Sequence, residues 1–143
     1  MTIINKRANF QYKLTSDRFE AGIALSGGEV KSVRNGRGDI SQAYAKTLNS
    51  EVFLINANIP VLGAKIFPTR SRKLLLHKSE ILSIITKAKQ QKLTLIPTKL
   101  YTKGRLIKAE LALGKSKKTY EKRESIKKKD IERQIEQEFR IKI

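Results

Sequence analysis

Leu93-Thr-Leu-Ile-Pro-Thr-Lys-Leu-Tyr-Thr-Lys-Gly-Arg-Leu-Ile-Lys-Ala-Glu-Leu-Ala-Leu113 decides the fold class. Two apolar runs, Leu93–Leu100 and Leu106–Leu113, flank Lys103-Gly104, where glycine can take the positive φ of a tight turn. They read as two strands of a hairpin. The same pattern recurs upstream: Ala43–Leu48 and Val52–Asn56 flank Asn49-Ser50-Glu51, and the second run holds the β-prone Val52, Phe53, Leu54 and Ile55. Glu20–Leu25, bounded by Ser26-Gly27-Gly28, adds a strand that ends in a turn.

Two helices interrupt the strands. Ser26 is positioned to cap the first, Glu29 suits its amino-terminal dipole, Val30 and Val33 give it an apolar face beside Lys31 and Arg34, and Asn35-Gly36 ends it. From about Leu76 to Lys89, Ile81, Ile84, Ile85 and Ala88 repeat with helical spacing. The lead-in through Lys13 reads as basic, and Ile59 to Arg70, with Pro60, Gly63 and Pro68, reads as a loop. Hairpin-connected strands with two packed helices predict a mainly β protein, an antiparallel barrel of the oligonucleotide-binding (OB) type.

At 143 residues the chain has room for one domain, placed at 1–114, followed by a tail at 115–143. The tail opens with Lys115-Ser-Lys-Lys-Thr-Tyr-Glu-Lys-Arg-Glu-Ser-Ile-Lys-Lys-Lys129, which offers almost nothing to bury against an ordering cost of roughly 1–2 kcal/mol per residue. It is expected to be disordered when free, although Ile131, Ile135 and Phe139 would form one stripe of a helix on a surface. Charge runs throughout: 31 Lys and Arg against 13 Asp and Glu give a net +18. A balance so basic points to nucleic acid before a membrane surface or an acidic protein.

With no Cys and one His, thiol chemistry, disulfides and a multi-His zinc site are excluded, and no metal or cofactor is expected. No cleavable leader is visible after Met1, and no run approaches the ~18 apolar residues of a span, so a cytoplasmic protein without a membrane partner is expected. No enzyme is expected either. The phosphate-binding and dinucleotide glycine patterns are absent, His77 stands alone at a helix start, and Ser32 and Ser41 have no base nearby in the sequence. The candidate RNA contacts are basic groups: Lys6, Arg7 and Lys13; Lys31, Arg34 and Arg37; Arg70, Arg72, Lys73 and Lys78; and the tail. Phe10, Tyr12, Tyr44, Phe53, Phe67 and Tyr101 are candidates for base stacking.

Three blocks carry a resemblance: Glu20-Ala-Gly-Ile-Ala-Leu-Ser-Gly-Gly-Glu-Val-Lys-Ser-Val-Arg34, Arg72-Lys-Leu-Leu-Leu-His-Lys-Ser-Glu-Ile81 and Tyr120-Glu-Lys-Arg-Glu-Ser-Ile-Lys-Lys-Lys-Asp130. With Asn5-Lys-Arg-Ala8, Glu51-Val-Phe-Leu-Ile-Asn56 and Glu110-Leu-Ala-Leu-Gly114, the chain closely resembles the SsrA-binding protein family, SmpB. The resemblance implies a six-stranded OB-like barrel with packed helices, bound to transfer-messenger RNA (tmRNA). It also implies a role in trans-translation, the rescue of ribosomes stalled without a stop codon. Elongation factor Tu and alanyl-tRNA synthetase would be reached through tmRNA, and the tail would probe the empty mRNA channel near the small-subunit decoding centre.

By the same resemblance Glu29, Lys31, Ser32, Arg34, Lys6, Arg7, Arg72, Lys73, His77 and Lys78 face tmRNA, with Arg72, Lys73, His77 and Lys78 meeting RNA backbone of tmRNA or ribosome. Lys122, Arg123, Lys127, Lys128, Lys129 and Arg133 form the ribosome-binding tail. An acid repels phosphate, so Glu29 would accept base amino groups or ribose hydroxyls, or hold a neighbouring Arg; Glu29→Ala is then expected to cost RNA affinity and little melting temperature. The chain departs from the family pattern at Gly28, where Thr is usual, at Asn58, where His is usual, and in a shorter loop after Ile59. Glu121 and Lys129 replace the usual Asp and Arg. A structural ribosomal protein and an RNA-modifying enzyme are the rival readings.

Overall fold

The structure, a computed structural model, describes residues 2–61, 63 and 67–117. Along them run β1 (Thr2–Ile4), α1 (Ala8–Gln11), β2 (Tyr12–Ile23), α2 (Gly27–Arg34), β3 (Tyr44–Leu48), β4 (Glu51–Ile55), β5 (Arg72–Leu75), α3 (Lys78–Gln91), β6 (Thr94–Lys103) and β7 (Leu106–Ser116). Every strand pairing is antiparallel. Six strands close into a ring in the order β2-β5-β4-β3-β6-β7, with β7 returning to β2, and β1 lies on β6. Mainly β, OB-like and six-stranded therefore describes the ring, with β1 as an added seventh strand.

Local chemistry sets the pieces. The β6–β7 turn holds Gly104 at φ +61, as the hairpin requires. The β3–β4 turn places Asn49 and Ser50 both at positive φ (52 and 63), the backbone twist that matches a two-residue hairpin loop. Pro97 sits inside β6 where a missing N–H would break a ladder, and the β6–β7 register shifts there, between Pro97 and Lys99. A second shift, between Leu14 and Arg18, bends β2 so that Tyr12 pairs with Ser116 of β7 at one end and Ile23 with Leu74 of β5 at the other. Ile107, Ala109, Leu111 and Leu113 of β7 point inward with Leu95 and Leu100 of β6, Val52 and Leu54 of β4 and Leu74 of β5. Val33 of α2 and Ile84 of α3 complete this core.

The lead-in through Lys13 is ordered, as β1, α1 and the start of β2. Its clasp is Asn5, whose N–H and side-chain amide donate to Thr98 O and Pro97 O, each at 2.8 Å, at the bulge of β6. β5 is an additional strand, in the stretch between the loop read to end at Arg70 and the helix read to start at about Leu76. α3 starts two residues later than its periodicity suggested, because Leu76 and His77 precede its first turn. β7 continues past Gly114, with Lys115 and Ser116 paired to Lys13 and Tyr12. Residues from 118 onward, including the tail helix and the tail contacts, lie outside the described residues.

Candidate nucleic-acid interface

α2 is built around its own first acid. The Ser26 hydroxyl accepts from the Glu29 N–H at 3.3 Å and Glu29 Oε1 accepts from the Ser26 N–H at 2.9 Å, a reciprocal cap. The same carboxylate then receives two guanidinium groups from across the loop. Arg70 Nε donates to Oε2 at 3.1 Å and its Nη2 pairs with Oε1; Arg72 Nε donates to Oε2 at 2.7 Å. Glu29 and Arg72 are fully buried. Burial pushes the Glu29 carboxyl up, but the Arg70 hydrogen bond, the Ser26 N–H and the Arg72 hydrogen bond and charge outweigh it and hold the group at about 2. Burial pushes the Arg72 guanidinium down, and Glu29 opposes that through its hydrogen bond and charge.

Arg72 has no hand free for RNA. Its remaining donors go to Ala57 O at 2.8 Å, Pro68 O at 2.9 Å and Arg70 O at 3.0 Å, so it staples the loop onto the barrel. Ser32 is also buried, its hydroxyl given to Pro60 O. Three residues read as RNA contacts, Glu29, Ser32 and Arg72, are thus corrected to the supports of a surface. Burial of a charged pair is tolerable only with every polar atom satisfied, and that condition placed them inside. The geometry matches Glu29 holding a neighbouring Arg, and because that carboxylate is buried among its partners the melting temperature is sensitive to Glu29→Ala, contrary to the expectation from sequence.

A carboxyl held below its unfolded value of about 4.5 contributes stability that is complete above that value and is lost as pH falls through its folded value. Thermal melts should accordingly be flat with respect to Glu29 above about pH 5 and decline from there toward pH 2; in Glu29→Gln that acid limb should shrink. An identical acid limb in the two proteins would contradict the assignment.

A side chain at Gly28 would put its Cβ 2.6 Å from Val61 Cγ1, so the Val61 side chain would have to shift to admit one.

Around this scaffold Lys31 and Arg34 remain exposed on α2, and Arg34 Nη2 donates to Arg105 O at 3.0 Å, tying the helix to the β6–β7 turn. Between them opens a cavity of about 580 Å³ whose walls include Ile23, Leu25, Val30, Leu76, Ile107 and the exposed leucines at 75 and 106. Leu75 is 55% and Leu106 61% exposed, a large apolar floor on so charged a protein. His77, Arg105 and Lys108 stand on its rim, with Glu20 and Glu80. Glu20 is itself held by the Tyr101 hydroxyl and by Lys103 Nζ at 3.2 Å, which lower its pKa in that order, while burial and then Glu20 push the Tyr101 hydroxyl up to about 12.

The exposed His77 and Lys78 belong to the start of α3 beside this groove, where Glu80 accepts from the His77 N–H at 3.4 Å. Lys73 is exposed on β5 and paired with Glu51 at 3.3 Å. Lys6 and Arg7 are exposed at the β1–α1 junction and are not among the groove's walls. The groove itself was missed by sequence reasoning. One signal was present: in Leu74-Leu75-Leu76 a strand cannot turn neighbouring side chains to the same face, so one leucine had to face outward. Among the described residues no group of three metal-binding side chains occurs and no helix is long and apolar enough to cross a membrane.

The family model described as SmpB protein matches residues 2–141. The chain belongs to the SmpB family. Curated relatives named SsrA-binding protein include one from Mesoplasma florum, 47% identical over 135 residues that cover 91% of this chain and 90% of the relative. Another, from Alkaliphilus oremlandii, is 49% identical over 140 residues covering 95% and 90%. A solved chain described as "tmRNA-SmpB: a journey to the center of the bacterial ribosome" shares the fold with a TM-score of 0.68 and 39% identity, covering 82% of this chain and 85% of that one. SmpB proteins are RNA-binding factors, not enzymes, so the rival reading of an RNA-modifying enzyme falls.

Proposed function

We propose that this SmpB-family protein binds the tRNA-like part of tmRNA and delivers it to ribosomes stalled on mRNA without a stop codon. The observation that carries the reading is the family match over residues 2–141, made by a chain of net charge +18 whose solved neighbour is described with tmRNA and the ribosome. The binding face is the groove beside α2, where His77, Arg105 and Lys108, with Arg34 and Lys78 outside its walls, meet phosphates and Leu75 and Leu106 meet an unpaired or splayed base or ribose. Lys31 extends it along α2, Lys73 along β5, and Lys6 and Arg7 from the β1–α1 junction. Lys122, Arg123, Lys127, Lys128, Lys129 and Arg133 in the basic tail engage the mRNA channel near the decoding centre. Elongation factor Tu and alanyl-tRNA synthetase act through the tmRNA it holds, in the cytoplasm.

The test is to sequence the RNA that copurifies from the source cells after a moderate-salt wash. Enrichment of one RNA with tRNA-like and messenger-like parts is the expected result; ribosomal RNA alone would return the reading to a structural ribosomal protein. On that RNA, log Kd should rise steeply with log salt, and Lys31→Ala or Lys78→Ala should each reduce the slope by about one while leaving the melting curve in place. A salt slope near zero would contradict an electrostatic interface.

A further inference from the structure

The loop that Arg72 staples down presents one aromatic ring to solvent. Phe67 is 81% exposed, whereas Tyr44, the other exposed aromatic among the described residues, is at 38% and the Tyr101 hydroxyl is committed to Glu20. Phe67 begins a turn whose Arg70 N–H donates to Phe67 O at 3.2 Å, with Pro68 at the position where its fixed φ suits such a turn. The carbonyls of that turn are pinned: Pro68 O accepts from Ile59 N and from Arg72 Nη2, both at 2.9 Å, and Arg70 O accepts from Arg72 Nη1 at 3.0 Å. Behind them stands the fully buried Glu29–Arg72 pair.

The turn holds the Phe67 backbone in place while the ring offers its faces to solvent, which suits stacking on a planar partner. The charge beside it favours a nucleic acid as that partner. Glu29 neutralises only one of its two arginines, and Arg70, with its side chain 36% exposed, offers the surplus positive charge three residues from the ring.

We infer that Phe67 is a stacking platform for an unpaired nucleobase of the bound RNA, with Arg70 meeting the adjoining phosphate. The Glu29–Arg72 pair is then a positioning device for this contact, which lies on the loop and outside the groove already described. The inference rests on the reading of the protein as a tmRNA-binding factor.

The experiment measures Kd for the tRNA-like part of tmRNA, and for an unrelated tRNA, over a salt series with the full chain and with Phe67→Ala, Phe67→Leu and Phe67→Trp. Stacking predicts about a tenfold or greater loss in Phe67→Ala and a similar one in Phe67→Leu, recovery in Phe67→Trp, and an unchanged salt slope, because the lost contact carries no charge. All four proteins should melt together, since the ring packs on little. Affinity in Phe67→Leu equal to the parent would overturn the inference, as would unchanged affinity in Phe67→Ala or a loss of self-association in its place. Failure of the parent itself to prefer tmRNA over the unrelated tRNA would instead overturn the functional reading, so the two failures are distinct.

Discussion

Glu29→Ala is expected to destabilise the barrel by about 3–5 kcal/mol, because it leaves the buried Arg72 guanidinium without its counter-charge and removes half of the α2 cap. For a domain of this size that is a fall on the order of 15–30 °C in melting temperature. Glu29→Gln should fall between parent and Glu29→Ala: the amide oxygen can still accept from the Ser26 N–H or from one guanidinium nitrogen, but the charge is gone. Chemical denaturation of the three proteins at neutral pH checks the order. RNA binding should weaken along with the fold, and a comparison at a temperature where all three are folded separates the two effects. An Ala variant as stable as the parent would show that Arg72 finds another partner.

The second large effect concerns the tail. A chain ending after Lys117 should bind tmRNA within a few-fold of the parent yet give no peptide tagging on stalled ribosomes, because the barrel is whole and the segment proposed to enter the mRNA channel is gone. The cut belongs there and not after Gly114: Lys115 and Ser116 are the last rungs of the β2–β7 ladder, and the Lys117 N–H donates to Gln11 O at 2.9 Å. A cut after Gly114 should therefore also lower the melting temperature. Full tagging by the Lys117 truncation would refute the division of labour between barrel and tail.

What could be read from the sequence followed the range of the forces involved. Hairpins with short turns, α2 with its Ser26 cap and the apolar stripe Ile81, Ile84, Ile85, Ala88 are local patterns, and each appears in the structure within a few residues of its expected bounds. β5 escaped because four residues beginning Arg72-Lys73 carry no usable period, and its strand state comes from being flanked by β4 and β2. β1 and the start of β2 escaped for the same reason: their partners lie some hundred residues away on β6 and β7.

The candidate site was harder. A list of basic residues in a sequence cannot distinguish a cation that faces RNA from one that pairs internally. Arg70 and Arg72 stand two apart and look alike, yet one reaches the surface and the other is swallowed by the loop it secures. Of the exposed leucines of the groove only Leu75 was legible, as an oddity of three leucines in a row, whereas Leu106 read as an ordinary strand residue. Family resemblance drew attention to the segment around Glu29 and left its role open between accepting from RNA and holding a neighbouring Arg.

The ring closure sets the order of events when the chain is made. β2 must wait for β7, and roughly 80 residues separate the end of one from the start of the other. At translation rates of about 5–20 residues per second, the β2 edge stays unpaired against its final neighbour for on the order of ten seconds, long compared with the microseconds in which the β3–β4 hairpin can form. Nascent chains arrested before Leu106 should therefore hold that hairpin and α3 while leaving β2 open to protease and to chaperones, and protection should arrive in one step once Ser116 is available to pair with Tyr12.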